Sequence, residues 1–141
     1  MQNRVPVSAF IRVGCSVPKD IEIAVIDDDP SFRVALVESL ASLGYRCGGY
    51  SSAEDYLSSV GEKVFDCIVT DIHMQGMSGF DLAQRLGVLG LVTPVILITA
   101  RSEAYLAARA STVGAVCLLR KPFRTSDLVN CIETAVRGST N

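Results

Sequence analysis

The sequence predicts an α/β domain built on a parallel, doubly wound sheet, and three observations support this. The chain has 141 residues, which suits one domain because a single core typically serves about 100 to 200 residues. Short β-branched runs alternate with amphipathic segments of helical length. Several of these runs are nearly unbroken in Val, Ile, Leu and Cys, as is typical of parallel strands that are covered on both faces.

The repeating unit is a strand followed by a helix, and it recurs along the chain. The predicted strands are residues 21–26, 46–50, 67–70, 95–99 and 116–119. The predicted helices are residues 30–43, 52–60, 79–86, 102–113 and 126–136. These units are too few for an eight-stranded barrel, so right-handed crossovers favour an open, flavodoxin-like (βα)5 sheet with strand order 2-1-3-4-5.

Residues at the predicted helix ends support these boundaries. Pro30 suits the first turn of a helix, and Ser51 and Glu54 have the spacing of a capping box. Gly44 and Gly138 follow the first and last predicted helices, where glycine commonly ends a helix.

The segments outside the repeats lack such patterns. Residues 1–20 contain Pro6, Gly14 and Pro18 and no sustained period, so we expect a poorly ordered N-terminal extension before a domain at 21–138 and a tail at 139–141. No apolar run approaches the roughly 18 to 20 residues that span a bilayer, and the N-terminal segment lacks a secretory core. We therefore expect a cytoplasmic chain that makes no membrane contact.

The charge balance excludes one class of function. Lys and Arg total 13 against 15 Asp and Glu, a formal net charge of −2. Non-specific binding of nucleic acid depends on excess positive charge, so we expect no direct nucleic-acid binding by this chain.

The cysteines indicate a reducing environment. The five cysteines are an odd number, lie far apart and form no C-x-x-C pair, and several fall within apolar runs. We therefore expect reduced thiols in the core rather than disulfides or a zinc site.

Polar residues follow several of the predicted strands. Asp27 and Asp28 follow the first, Asp71 the third, Thr99 the fourth and Lys121 the fifth. In the predicted fold these strand ends share one edge of the sheet, where ligands bind. Each residue taken singly could be a helix cap, a loop residue or an ordinary strand end, but together they predict a site.

The acidic residues of this site favour a divalent cation. Close carboxylates repel each other, and a hard ion with oxygen ligands, Mg²⁺ above all, relieves that repulsion. Three carboxylates contribute −3 and Lys121 adds +1, so −2 remains and a dication neutralises it. An aspartate can carry a phosphoryl group as an acyl phosphate, and such transfer needs mainly positioning and charge neutralisation.

The motifs resemble those of a known family. The chain is similar, over residues 21–137, to the response-regulator receiver domain of two-component signalling, and most like receivers that precede a helix-turn-helix transcription output. The residues that carry the resemblance are the acidic pair Asp27-Asp28, Asp71-x-x-Met74 with Gly79, Thr99-Ala100 and Lys121-Pro122-Phe123.

This resemblance implies specific roles. Asp71 would accept a phosphoryl group from the phosphohistidine of a sensor histidine kinase or a phosphotransfer protein. Asp28 and Asp71 would bind Mg²⁺ directly, Asp27 would help through water, and the main-chain carbonyl of His73 would supply another oxygen. The domain would then be a switch that slowly loses its phosphoryl group, not a turnover enzyme.

The resemblance also assigns the residues that face the phosphoryl group. The Thr99 hydroxyl and the Ala100 amide would donate hydrogen bonds to it, and Lys121 would pair with one of its oxygens. Movement of Thr99 would change the face formed by the fourth helix, fifth strand and fifth helix, and thereby a homodimer or an output partner. Candidate contacts on that face are Tyr105, Leu106, Arg109 and Leu119.

Two positions depart from the family pattern. Gln75 stands where proline is usual, which predicts a looser loop. Leu118 stands where an aromatic residue usually swings inward with the switch threonine. We therefore hypothesise that coupling runs through the backbone after Thr99 and through repacking of the fourth helix.

Other readings of the site remain open. The side chains of His73 and Arg101 could control access to the phosphoryl group. A solvated position is the simpler expectation for His73, and both alternatives are open for Arg101. A receiver fold could also act as a phosphorylation-independent adaptor by protein binding. A hydrolase with an aspartate nucleophile would need an acid two residues later, where His73 stands.

Overall fold

The computed structural model describes residues 20–139 of the chain. The predicted N-terminal extension and C-terminal tail therefore lie outside the described residues, apart from Asp20 and Ser139. The elements in chain order are β1 (Glu22–Ile26), α1 (Pro30–Ser42), β2 (Arg46–Tyr50), α2 (Ala53–Ser58), β3 (Cys67–Asp71), α3 (Gly79–Val88), β4 (Val95–Thr99), α4 (Tyr105–Thr112), β5 (Cys117–Arg120) and α5 (Thr125–Ser139).

The strands form one parallel five-stranded sheet in the order β2-β1-β3-β4-β5. This confirms the predicted fold class and strand order. Ile26 lies opposite Thr70, Asp71 opposite Ile98 and Thr99 opposite Arg120. Because all strands run the same way, the residues after β1, β3, β4 and β5 meet at one edge of the sheet.

Apolar side chains cover both faces of the sheet. Ile68 and Leu97 belong to a cluster with buried residues of α2, α3 and α4. Val69 and Ile96 point the other way, into a cluster with buried residues of α1 and α5. Alternate residues of one strand therefore enter different cores, which is why these strands are apolar without interruption.

Hydrogen bonds at the helix ends differ in part from the sequence prediction. Pro30 begins α1, and Gly44 follows it with a φ of +103°. Ser52 rather than Ser51 caps α2, because its Oγ accepts the Asp55 amide at 2.9 Å. The two-way capping box is at α3, between Ser78 and Asp81.

The ends of α4 and α5 differ most from the prediction. Gly138 lies within α5, which continues to Ser139, so the predicted stop at glycine is wrong. α4 begins at Tyr105 instead of residue 102, and its N-cap, Ala104, has no side chain that could satisfy the first amides.

None of the helices in the described part of the chain is both long and apolar enough to cross a bilayer.

The expectation of reduced cysteines is wrong for one pair. Cys117 of β5 and Cys131 of α5 form a disulfide, with their Cα atoms 6.0 Å apart. Helix α5 packs on the face of the sheet toward which Cys117 points, and sequence spacing does not reveal this. Cys47 is a half-buried free thiol and Cys67 a buried one, while Cys15 lies outside the described residues.

Candidate functional site

The carboxyl edge of the sheet brings together three aspartates. One carboxylate oxygen from each of Asp27, Asp28 and Asp71 lies within 4.8 Å of the others. Asp27 and Asp28 follow β1, and Asp71 ends the adjacent strand β3. Asp27 is buried, at 2% exposure, while Asp28 is exposed and Asp71 half-buried.

Lys121 reaches this cluster from the end of β5, which is separated from β3 by β4. Its Nζ lies 3.3 Å from Asp27 Oδ2 and 3.4 Å from Asp71 Oδ2. The lysine follows β5, and its amide donates a 2.7 Å hydrogen bond to the Thr99 carbonyl. The segment after β5 thus places the Lys121 ammonium against two of the three carboxylates.

The pKa of Asp27 is altered by its position in this cluster. Its pKa is raised above the ordinary 3.8, mainly because burial disfavours the charged carboxylate and also because the charge of Asp71 repels it. The Asp29 amide, which donates to Asp27 Oδ1 at 2.9 Å, and the Lys121 ammonium act in the opposite direction.

The donor set fits a hard divalent cation. The three carboxylates carry −3 and Lys121 carries +1, so the cluster has a formal charge of −2. All of the candidate ligand atoms in this cluster are carboxylate oxygens, which Mg²⁺ prefers over nitrogen and sulfur. These residues could therefore hold Mg²⁺, with room for waters on the exposed Asp28 side.

Gly79 lets α3 begin directly against the end of β3. A Cβ at this position would lie 2.6 Å from the Asp71 carbonyl oxygen and 3.0 Å from Ile72 Cα. The Gly79 amide donates to the Ile72 carbonyl at 2.9 Å. The close approach fixes the start of α3 against the backbone that follows the Asp71 side chain.

The β3–α3 loop, residues 72–78, is tied to the rest of the site. The Gln75 amide donates to Asp28 Oδ2 at 3.1 Å, a bond that a proline there could not make. The Met77 amide donates to Glu54 Oε2 at 2.9 Å, next to Gly76 with a φ of +82°. The Gln75 amide thus gives this loop a hydrogen bond that proline would lack, while the looser loop expected from Gln75 stays a prediction.

Glu54 is a site-loop residue that sequence reasoning assigned differently. The sequence spacing predicts a capping-box role for Glu54, but the residue lies in the first turn of α2 and its carboxylate accepts a hydrogen bond from the β3–α3 loop. Gly76, which must adopt a positive φ beside the Glu54 carboxylate, was the available signal for an ordered turn.

The residues after β4 lie where the fold predicts. Thr99 is buried, at 2% exposure, and its Oγ1 accepts the Arg101 amide at 3.0 Å. The hydroxyl hydrogen can therefore be donated to a different acceptor. Ala100 and Arg101 are exposed, which favours the solvated alternative for Arg101.

The side chain of His73 differs from the expectation of a solvated ring. The residue is half-buried, and its Nε2 is shielded from solvent and has no hydrogen-bond partner among the described residues. Its amide donates to Asp71 Oδ1 at 3.3 Å, so the backbone of His73 lies beside the carboxylate.

Residues proposed for the output face fall into different environments. Leu118 is half-buried and packs against the cluster that contains Leu106. Leu106 itself is only 1% exposed, so it belongs to the core and cannot be a surface contact. Tyr105 is 55% exposed, and Leu119 packs against the cluster that contains α1 and α5.

Arg109 joins α4 to α3. Its guanidinium carbon lies 4.8 Å from the centroid of the buried Phe80 ring. The side chain thus lies against an aromatic face, while the residue remains exposed on the output face.

Two residues in the first turn of α1 contact the site, and the sequence analysis did not name them. Arg33 Nη1 donates to the Asp27 carbonyl at 2.7 Å. The Phe32 ring lies under the Lys121 ammonium, with Nζ 3.8 Å from the ring centroid. Their position just after the acidic run was a signal, since the first turn of a helix stays close to the loop that precedes it.

Fold and site together define the class of the protein: a doubly wound α/β domain with carboxylates and a lysine gathered at the carboxyl edge of its sheet. A family model described as the response regulator receiver domain matches residues 23–133. The chain belongs to this family, which confirms the resemblance inferred from the motifs.

Known relatives support the same assignment. Response regulator protein TmoT of Ectopseudomonas mendocina is 36% identical over 115 residues, covering 82% of this chain and 52% of TmoT. Transcriptional regulatory protein FixJ of Bradyrhizobium diazoefficiens is 34% identical over 115 residues, covering 82% of this chain and 56% of FixJ. The chain thus spans about half the length of the curated relatives it matches.

A solved structure agrees with the fold. The crystal structure of FixJ-N superposes with a TM-score of 0.80 at 31% identity, covering 85% of this chain and 96% of that chain.

Proposed function

We propose that this chain is a phosphoacceptor switch that receives a phosphoryl group on Asp71. One observation carries the proposal: the Asp71 carboxylate lies within 4.8 Å of the Asp27 and Asp28 carboxylates, and the Lys121 ammonium contacts it at 3.4 Å. Phosphoryl transfer depends mainly on positioning and charge neutralisation. This arrangement positions Asp71, and Lys121 together with a bound divalent cation would supply the neutralisation.

Asp28 and Asp71 would hold Mg²⁺ directly, with Asp27 acting through water and the His73 carbonyl as a further oxygen. When bound, Mg²⁺ would neutralise the charge that builds up on the transferring oxygens. The formal charge of −2 that remains on the three carboxylates with Lys121 supports the need for such a cation.

The chain's own groups account for the transfer. A carboxylate oxygen of Asp71 attacks phosphorus, an O–P bond forms, and the P–N bond of the donor phosphohistidine breaks. The electron pair of that bond returns to the imidazole nitrogen, which can then take a proton. Lys121 orients the phosphoryl oxygens, and the Thr99 hydroxyl and Ala100 amide donate to them.

The change would be transmitted to the output face, formed by α4, β5 and α5. A phosphoryl group adds a charge of about −1.5 to −2 and new acceptor oxygens. Thr99, whose hydroxyl hydrogen is available, would turn toward it and move the loop that leads to α4. Tyr105 and Arg109 are the exposed residues through which a second copy or an output partner would sense this movement.

The relatives suggest the kind of output. FixJ is named a transcriptional regulatory protein and TmoT a response regulator protein, and both are about twice as long as the matched region. We infer that the switch controls a transcription output in the cytoplasm through a protein contact, without binding nucleic acid itself.

The proposal is tested by incubating the chain with Mg²⁺ and a small acyl-phosphate donor, followed by intact-mass analysis. We expect the wild type to gain one phosphoryl group and Asp71→Asn to gain none. Asp55→Asn is a matched control, because it removes the same charge from an exposed position on α2, and it should be labelled like the wild type.

Other outcomes separate the alternatives. A wild type that binds a partner but is never labelled would point to a phosphorylation-independent adaptor. Continuous consumption of the donor without a lasting adduct would point to a hydrolase.

A further inference from the structure

We propose that Phe32 is a positioning residue that keeps the Lys121 ammonium in the site while the carboxylates around it change partners. This inference rests on the proposed transfer to Asp71. It concerns an aromatic residue of α1 that makes no contact with the phosphoryl group itself.

Three groups surround the ammonium. Nζ lies 3.3 Å from Asp27 Oδ2, 3.4 Å from Asp71 Oδ2 and 3.8 Å from the centroid of the Phe32 ring. The Lys121 side chain is 22% exposed. An ammonium group over a ring face is attracted by the negative face of the π system, and this attraction grows when water is excluded.

The ring is held on both sides. Phe32 is in the first turn of α1, where the Asp29 carboxylate accepts the Ser31 and Phe32 amides at 3.0 and 3.4 Å. Its ring packs edge to face on Phe123, with centroids 6.3 Å apart and planes at 80°. Phe123 follows Lys121 by two residues, so the ring and the lysine are fixed by the same loop.

The three contacts respond differently to the proposed reaction. A carboxylate oxygen of Asp71 would become bonded to phosphorus, and Asp27 would interact with Mg²⁺ through water. The ion pairs of both carboxylates with Lys121 would therefore weaken when Mg²⁺ binds and the phosphoryl group is transferred. The ring contact is the one of the three that neither step removes, and a lysine with four rotatable bonds otherwise has many positions outside the site.

The test compares Phe32→Leu with the wild type at saturating Mg²⁺. Leucine keeps an apolar side chain on α1 but removes the ring face. We expect the rate of Asp71 labelling by the small acyl-phosphate donor to fall about three- to tenfold, the size expected for loss of a partly buried cation–π contact. Mg²⁺ affinity, measured by calorimetry on the unlabelled chain, should not weaken, because Lys121 competes with the metal for Asp27 and Asp71.

A spectroscopic readout reports on the contact directly. The ε-methylene protons of Lys121 should be shifted upfield by the ring current in the wild type, and this shift should disappear in Phe32→Leu. Phe32→Tyr retains a ring face and should restore both the shift and the labelling rate. Val34→Ala changes a 51% exposed residue of the same helix and should leave both unchanged.

The results that overturn the inference are distinct. Wild-type labelling in Phe32→Leu would refute it, and so would a loss of Mg²⁺ affinity in proportion to the loss of labelling, since that would indicate general distortion of the site. A wild type that is not labelled at all contradicts the proposed function and this inference together, whereas normal wild-type labelling with an unaffected Phe32→Leu overturns the inference alone.

Discussion

Single side chains in this protein show how burial alters chemistry before any partner is involved. Burial raises the pKa of the Cys47 thiol from the usual 9.0 to about 11, and that of Cys67 to about 12 with a smaller contribution from the Asp66 charge. Only the thiolate reacts as a nucleophile. Both cysteines should therefore behave as packing residues at neutral pH.

The pH dependence of alkylation tests this at Cys47. Because its pKa is about 11 rather than 9.0, its thiolate fraction at pH 8 should be about 100-fold below that of an ordinary thiol. We expect the rate at which iodoacetamide modifies Cys47 to keep rising up to about pH 11. Peptide mapping measures this rate at Cys47 alone.

The same measurement in denaturant is the control. Unfolding exposes Cys47, so its rate should level off near pH 9. A native chain whose Cys47 already levels off there would show that burial does not shift this thiol.

At the scale of the elements, two glycines of α3 have opposite roles. Gly79 begins the helix against the end of β3, where a Cβ would lie 2.6 Å from the Asp71 carbonyl. Gly87 is near the other end of the same helix, and a Cβ there would meet nothing within 4 Å. Of these two positions, only the one that adjoins the site is sterically restricted.

Alanine at these two positions gives a matched pair. Gly79→Ala should lower the free energy of unfolding by about 1–3 kcal/mol, because backbone atoms must move to admit the methyl group. Gly87→Ala should raise it by about 0.5–1 kcal/mol, since alanine loses less conformational entropy in a helix. Chemical denaturation of both variants measures these changes, and a tolerated Gly79→Ala would argue against the close approach of α3 to β3.

The output face also depends on element packing. Leu118 replaces the usual aromatic residue and packs toward the cluster that contains Leu106 of α4. This placement is compatible with the hypothesis that coupling runs through α4, because Leu118 shares apolar contacts with the cluster to which Leu106 belongs.

At the scale of the whole molecule, the disulfide connects the edge of the sheet to the last helix. β5 has four residues, and among the described strands it pairs with β4 alone. The bond between Cys117 and Cys131 spans 14 positions of sequence. Cross-linking a loop of this size restricts the unfolded chain and typically stabilises a domain by about 2–4 kcal/mol.

Reduction should therefore lower the free energy of unfolding by about that amount. Cys131→Ser should be as unstable as the reduced wild type and insensitive to dithiothreitol, whereas Cys47→Ser should keep the response to reductant. Thiol titration of the denatured wild type should find two more thiols after reduction, and an equal count with and without reductant would refute the pairing.

Several features followed from the sequence alone because they depend on local pattern and chain direction. A strand buried on both faces leaves an uninterrupted apolar run, so the sequence predicts β4 with its observed bounds. The bounds of β2 are also as predicted, although this edge strand has no fully buried residue. Parallel strands end at one edge, so the approach of Asp28, Asp71 and Lys121 could be anticipated from the residues that follow each strand.

Contacts between elements far apart in the chain were decided by the tertiary structure alone. The placement of Lys121 over Phe32, the Glu54 bond to the β3–α3 loop and the pairing of Cys117 with Cys131 all depend on how each helix lies against the sheet. Sequence periodicity indicates which face of an element is buried. It does not indicate which neighbour that face meets, because the relative positions of helices result from the packing of the whole core.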